Sequence, residues 1–141
     1  MDITTVIPQR PPFLFVDQVR AVTPGVSAVT RKLVTIDEWF FAGKAGDHQL
    51  SVPAFVLTEM TAQTGALAIL ADQEGDKNVL FGGIRSAEII APVLPGDELV
   101  CAVELLKMRG PIGVGAGTLT VRDQVVYRAT LVFAVVDAKE R

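Results

Sequence analysis

The longest apolar stretch of the chain predicts a single buried helix. From Pro53 to about Asp72 apolar residues occur on every side of a helix, and Ser51 just before it is a suitable N-cap. A helix that is apolar on every side is expected to be covered on every side. Gly65 within it costs about 1 kcal/mol relative to alanine, so its presence indicates close packing. Glu59 is the charged exception.

Six other segments have the β-branched or alternating pattern of strands. Two precede the helix and four follow it, at residues 13–22, 26–35, 78–90, 97–108, 112–122 and 124–136. Pro24-Gly25 marks a turn, so the first two should form a hairpin. Long strands around one helix predict an α+β fold, in which a curved antiparallel sheet wraps around the central helix. Such a sheet leaves an edge free, which favours a dimer that continues it.

Composition narrows the functional classes. The 141 residues fit one domain, residues 1–141, and half of them are apolar. A net charge of −3 argues against a general nucleic-acid binder. No segment is typical of a signal peptide or a membrane span, so a cytoplasmic protein is expected. Cys101, the only cysteine, lies in an alternating run and is expected to act as a small buried hydrophobe.

Four stretches, taken in order, carry a family resemblance. They are 7–17 (IPQRPPFLFVD), 40–43 (FFAG) with 53–65 (PAFVLTEMTAQTG), 83–97, and 125–130 (VVYRAT). Together they resemble the FabZ-type (3R)-hydroxyacyl-acyl-carrier-protein dehydratases over nearly the whole chain. The resemblance implies a hotdog fold and the removal of water from a 3-hydroxyacyl thioester in fatty-acid or polyketide-type synthesis.

The same resemblance implies the partners. The substrate is presented on acyl carrier protein, or on coenzyme A, and the protein forms a homodimer, a trimer of dimers, or a heterodimer with a homologue. Arg85, Lys107 and Arg109 are the candidates to meet an acidic carrier protein, although their interpretation as scattered solvated charges is slightly favoured. No cofactor is implied, and no spacing of His, Cys, Asp or Glu suggests a metal site.

The site residues follow from the resemblance position by position. Glu59 falls on the family's helix glutamate, and Gln63 falls on the glutamine one turn later. Gly43 before the loop, and Pro53 and Ala54 at the helix start, are the further substrate-binding candidates. Family members pair that glutamate with a loop histidine across the dimer interface.

The loop histidine itself does not carry over. Matching forward from residues 40–43 places Lys44 at the position of the family's histidine, and matching backward from Glu59 places Ala45 there. The two results differ because this loop is one residue longer than the family's. His48, the only histidine, lies three or four positions later and is either the displaced base or an ordinary loop residue. Lys44 is a poor base when solvated, with a pKa of about 10.4. Asp47 is a further candidate, as a base or a group that positions water.

Dehydration requires a base, an acid and donors for the charge that develops on the thioester oxygen. Burial on an apolar helix should raise the pKa of Glu59 and make its carboxyl a usable acid. The helix N-terminus can supply the donors. Two alternatives stay open. One is a catalytically incomplete subunit that pairs with an active homologue, and the other is a thioesterase in which Glu59 directs water.

Overall fold

The computed structural model describes residues 1–42, 50–73 and 76–138. Its one α-helix, α1, runs from Ala54 to Leu70. The strands are β1 (Gln18–Thr23), β2 (Ser27–Leu33), β3 (Lys77–Ile89), β4 (Glu98–Arg109), β5 (Ile112–Val121) and β6 (Gln124–Asp137). Single-turn 3-10 helices span Ile3–Thr5 and Trp39–Phe41.

The strands form one antiparallel sheet against which α1 packs. Their order is β1-β2-β4-β5-β6-β3, so β1 and β3 are the edges. The consecutive strands β1 and β2, β4 and β5, and β5 and β6 pair with each other. In addition, β2 pairs with β4, and β6 pairs with β3. The predicted α+β arrangement of a sheet around one helix is therefore confirmed. Within the described ranges, no helix combines the length and apolar character needed to cross a membrane.

Two of the predicted boundaries are wrong, and both errors have a long-range cause. The first strand begins at Gln18, not at residue 13, because the Gln63 side chain takes the backbone hydrogen bonds of Phe13 and Phe15. Ser51 does not cap the helix. Pro53 is the N-cap, and the N–H of Val52 donates to the carbonyl of Val93 at 2.8 Å, which keeps this approach to the helix extended.

The helix is the centre of the core. Every residue from Val56 to Leu70 is buried except Glu59. Three threonines among them donate their hydroxyls to the carbonyl four residues earlier, at 2.8–3.0 Å, so that burial leaves these hydroxyls paired. Cys101 is fully buried as expected, and burial raises the pKa of its thiol to about 11, so it stays protonated and inert.

Close packing at Gly65 is confirmed. A β-carbon at this position would lie 2.5 Å from Cζ of Phe133, a residue of β6 that is only 1% exposed. The ring is held in the core and has little room to move. The glycine therefore allows the helix to lie directly on the sheet.

We predict that Gly65→Ala lowers the free energy of unfolding by up to about 2 kcal/mol. Alanine gains about 1 kcal/mol in helix propensity, but overpacking of a core costs about 1–3 kcal/mol. Urea denaturation measures the balance. In a Phe133→Leu background the penalty should shrink, because the opposing ring is gone. A stabilised Gly65→Ala protein, or an equal penalty in both backgrounds, would contradict this packing.

Candidate active site

Glu59 is the one charged residue in the buried part of α1, and its side chain is partly buried. Gln63, one turn later, donates from Nε2 to Oε2 of Glu59 at 3.1 Å. The two residues lie at positions i and i+4, which face each other on a helix. The carboxyl is thus fixed by a neighbour that is itself fully buried.

Gln63 also anchors the N-terminal segment. Its Nε2 donates to the carbonyl of Phe13 at 2.6 Å, and its Oε1 accepts from the N–H of Phe15 at 2.9 Å. One amide therefore joins the helix, the N-terminal segment and the carboxyl of Glu59. Because Gln63 and its bond to the N–H of Phe15 are buried, loss of the amide would leave a buried polar group without a partner.

Burial raises the pKa of Glu59 above its ordinary value of 4.5. The hydrogen bond from Gln63 favours the charged form and opposes this effect, but it is the smaller of the two. The outcome is a carboxyl that holds its proton more strongly than a solvated glutamate does. That is the property expected of a general acid.

An apolar cavity of about 440 Å³ opens beside Glu59. The start of α1, the N-terminal segment and β3 form its walls. The lining residues are Phe13, Phe15, Ala54, Phe55, Thr58, Glu59, Phe81 and Ile84. Glu59 is the only ionisable side chain among them, so a ligand held here meets hydrocarbon on most sides and one carboxyl.

Aromatic rings hold the outer wall of this cavity together. The ring of Trp39 lies 5.5 Å from that of Phe13 and 6.0 Å from that of Phe55, measured between centroids. Its Nε1 donates to the carbonyl of Pro12 at 2.9 Å. The wall is therefore fixed by ring packing and a hydrogen bond, although its rings are each about half exposed.

The structure brings together some of the predicted site residues. Glu59 and Ala54 line the cavity, and Pro53 caps the helix beside it. Gln63 donates a hydrogen bond to the carboxyl of Glu59. Phe55 and Phe81 also line the cavity. Met60 does not, because its side chain points into the core with no exposed surface. Whether Gln63, Pro53 and Ala54 touch substrate stays a prediction.

The remaining loop candidates lie outside the described residues. These are Gly43, Lys44, Ala45, Asp47 and His48. Arg85, Lys107 and Arg109 are exposed on β3 and β4. Sequence patterns did not identify Ile84 as part of the cavity wall, or Trp39 as the ring that packs against this wall. The sequence feature that could have identified Trp39 was its position beside two further aromatic residues.

A larger depression, of about 530 Å³, crosses β2, β4 and β5. Its lining contains one carboxylate, Glu104, which is exposed, and otherwise mostly small or β-branched side chains. It has no helix terminus and no buried ionisable group. The smaller cavity beside Glu59 is therefore the better candidate site despite its size.

Comparison with known protein families agrees with the resemblance found in the sequence. A family model described as a FabA-like domain matches residues 7–130. The 3-hydroxyacyl-acyl-carrier-protein dehydratase FabZ of Clostridium botulinum (strain Okra) is 41% identical over 135 residues, which are 95% of this chain and 93% of that protein. The corresponding FabZ of Exiguobacterium sibiricum is 43% identical over 134 residues, 94% of this chain and 95% of that protein.

Solved structures share the fold at much lower identity. The dehydratase heterocomplex ApeI:P of Xenorhabdus doucetiae gives a TM-score of 0.77 at 16% identity, covering 99% of this chain and 94% of the matched one. A variant of the fluoroacetyl-CoA-specific thioesterase FlK gives 0.70 at 13% identity, covering 86% and 93%. At this identity the likeness shows the fold alone, so dehydratases and thioesterases are not separated by it.

We predict that Glu59→Gln becomes stabilising as the pH rises. The folded-state pKa of Glu59 lies above 4.5, so the wild type keeps its full stability below that value and loses part of it as the pH rises through the folded pKa. Glutamine does not titrate and can still accept the hydrogen bond from Gln63. Urea denaturation of both proteins between about pH 4 and pH 7 tests this.

The two proteins should have the same denaturant slope, so that the midpoints report stability. The advantage of the variant should grow with pH and then level off. A difference that does not change over this range, or one that shrinks, would show that burial does not govern this carboxyl.

Proposed function

The chain belongs to the family of FabA-like domains, and from that premise we propose that it is a FabZ-type dehydratase, which removes water from a 3-hydroxyacyl thioester. Its curated relatives are about 40% identical over nearly their whole length. The observation that carries the proposal is the carboxyl of Glu59, which is held by Gln63 at the wall of an apolar cavity. An acyl chain fits such a cavity, and a protonated carboxyl can assist the loss of hydroxide.

Glu59 acts as the general acid. Its raised pKa keeps a larger protonated fraction than a solvated glutamate would have. The proton passes to the leaving 3-hydroxyl, which departs as water. Gln63 is a positioning residue, because it is buried and its amide fixes the carboxylate and the adjoining segment.

The start of α1 supplies donors for the thioester oxygen. Within the described residues, the N–H groups of Val56 and Leu57 already donate to the carbonyl of Pro53, at 3.0 and 3.4 Å. The N–H groups of Ala54 and Phe55 precede them in the first turn, where helices leave donors unpaired. These two donors and the helix dipole stabilise the enolate-like charge that develops on the oxygen.

His48 is the proposed base that removes the proton next to the carbonyl. It lies outside the described residues, so the proposal rests on its chemistry: it is the only imidazole of the chain, and imidazole titrates near neutral pH. Asp47 and Lys44 are the next candidates for this base. Gly43, at the start of the same loop, is the proposed backbone contact of the substrate.

The proposed carrier is acyl carrier protein, with coenzyme A as the alternative. Arg85 on β3 and the pair Lys107 and Arg109 on β4 are exposed cations that suit an acidic partner. The net charge of the chain is −3. Carrier recognition therefore depends on local cations, and it should weaken with ionic strength.

The assembly that we propose is a homodimer formed through β3. This strand is an edge of the sheet and pairs with β6 alone among the described strands. Phe81, Ile84, Ile89 and Ile90 on or beside it are 42–53% exposed. An unprotected apolar edge of this length is a ready surface for a second copy, which would also cover the open side of the Glu59 cavity.

A second candidate function is that of a dehydratase-like subunit without a complete site. The observation in its favour is that neither Lys44 nor Ala45, the two residues that match the family's histidine position, is a histidine. Such a subunit would use the same β3 edge to pair with an active homologue. It would hold acyl chains without converting them by itself.

We predict that the purified protein dehydrates 3-hydroxyacyl-acyl carrier protein and that Glu59→Gln and His48→Ala each reduce kcat about 100-fold or more. That is the usual contribution of a positioned acid or base. Mass spectrometry of the acyl chain measures the loss of water. Circular dichroism confirms that both variants are folded.

The products separate the competing functions. Unchanged turnover in Glu59→Gln would overturn the role of this residue. Unchanged turnover in His48→Ala alone would move the base to Asp47 or Lys44. A free acid would indicate a thioesterase, and no reaction without a homologue would indicate the incomplete subunit.

We predict that Ile84→Glu converts a dimer into a monomer, because a charge at the centre of the apolar β3 edge must be desolvated on pairing. Light scattering after size-exclusion chromatography gives the mass. The matched control is Leu106→Glu on β4, which is 56% exposed and distant from this edge in the sheet order, and which should leave the mass unchanged. A wild type of monomer mass would refute the proposed interface.

A further inference from the structure

A buried pair of hydroxyl groups closes the Glu59 cavity on the side of the sheet. The Thr58 Oγ1 and the Tyr127 phenol oxygen lie 2.7 Å apart, although the residues are 69 positions apart in the chain. Thr58 uses its own proton for the carbonyl of Ala54, at 3.0 Å. Since a hydroxyl has one proton, Tyr127 is the donor of the bond between them.

Tyr127 reaches the helix from β6, the strand next to the β3 edge of the sheet. Its side chain is 1% exposed and, like those of Ala129, Leu131 and Phe133 at alternate positions of β6, it faces α1. Burial raises the pKa of the phenol, so the proton needed for the bond to Thr58 is retained at neutral pH. The phenol ring is therefore a fixed bridge between β6 and the helix.

This bridge lies between two cavities. Thr58 lines the cavity of about 440 Å³ that contains Glu59. Tyr127 pairs across the sheet with Ile89, which lines a second cavity of about 240 Å³. That second cavity is bounded by Leu57 of the helix and by apolar residues of 89–93. Tyr127 itself lines neither cavity, but its backbone pairs with a residue of one and its phenol oxygen contacts a residue of the other.

We propose that Tyr127 is a specificity-determining residue, which ends the acyl cavity at Thr58 and restricts the enzyme to short acyl chains. The inference rests on the proposed dehydratase function, because it concerns the substrate of the same site. The side chains of Ala87 and Ala129, which face each other across β3 and β6 two positions from the Ile89–Tyr127 pair, are small. Removal of the ring joins the two apolar cavities into one longer channel.

The test compares Tyr127→Ala and Tyr127→Leu with Tyr127→Phe. Phenylalanine keeps the ring and loses only the hydroxyl, so it is the matched control. The kcat/KM values are measured with butanoyl, octanoyl and dodecanoyl 3-hydroxy thioesters on the carrier protein. In the alanine and leucine variants the ratio of octanoyl to butanoyl should rise about tenfold or more, because each methylene accepted by an apolar pocket changes selectivity by about 10- to 200-fold.

In Tyr127→Phe the same ratio should stay near that of the wild type. An unchanged ratio in a folded Tyr127→Ala or Tyr127→Leu protein overturns the proposal. So does a wild type that prefers dodecanoyl substrates. The leucine variant covers the case in which alanine leaves too large a hole for the protein to fold.

Binding separates this proposal from the proposed function. Trp39 packs on the cavity wall, with its ring 6.0 Å from that of Phe55, so its fluorescence reports acyl pantetheine binding without turnover. If the protein binds but does not convert substrate, the dehydratase proposal fails, and the chain-length proposal is decided by the affinity ratios of the same variants. Absence of binding at every chain length overturns both.

Discussion

The burial of α1 is the constraint on which the rest of the structure depends. A helix that is apolar on nearly every side is unstable in water unless other elements cover it. The sheet supplies that cover, and Gly65 permits its close approach to Phe133. The threonines of the helix satisfy their hydroxyls on the helix itself, so the polar residues within it do not disturb the packing.

Glu59 matters because it departs from this pattern. A carboxyl among apolar residues is costly to desolvate when it is charged, and its pKa therefore rises. The hydrogen bond that Gln63 donates to the carboxyl oxygen offsets part of this cost. The same glutamine fixes Phe13 and Phe15, which line the cavity with Glu59. The stability of the N-terminal segment and the position of the Glu59 carboxyl are thereby coupled through one side chain.

Much of the fold could be predicted from the sequence, because the helix and the six strands have strong local patterns. The start of the helix and of the first strand could not, since the bond of Val52 to Val93 and the bonds of Gln63 to Phe13 and Phe15 join segments distant in the chain. Glu59 was identifiable because a charge on an apolar helix is conspicuous. The bridge of Tyr127 to Thr58 was not, because no local pattern relates the two residues.

The central claim is that the Glu59 carboxyl faces the hydroxyl of an acyl chain lying between α1 and β3. A crystal structure with a stable 3-hydroxyacyl pantetheine analogue tests it most directly. The 3-hydroxyl should lie about 2.6–3.2 Å from a carboxyl oxygen of Glu59, with the thioester oxygen toward the start of α1 and the tail ending at Thr58. A chain bound elsewhere, or in this cavity with its hydroxyl turned away from Glu59, would contradict the claim.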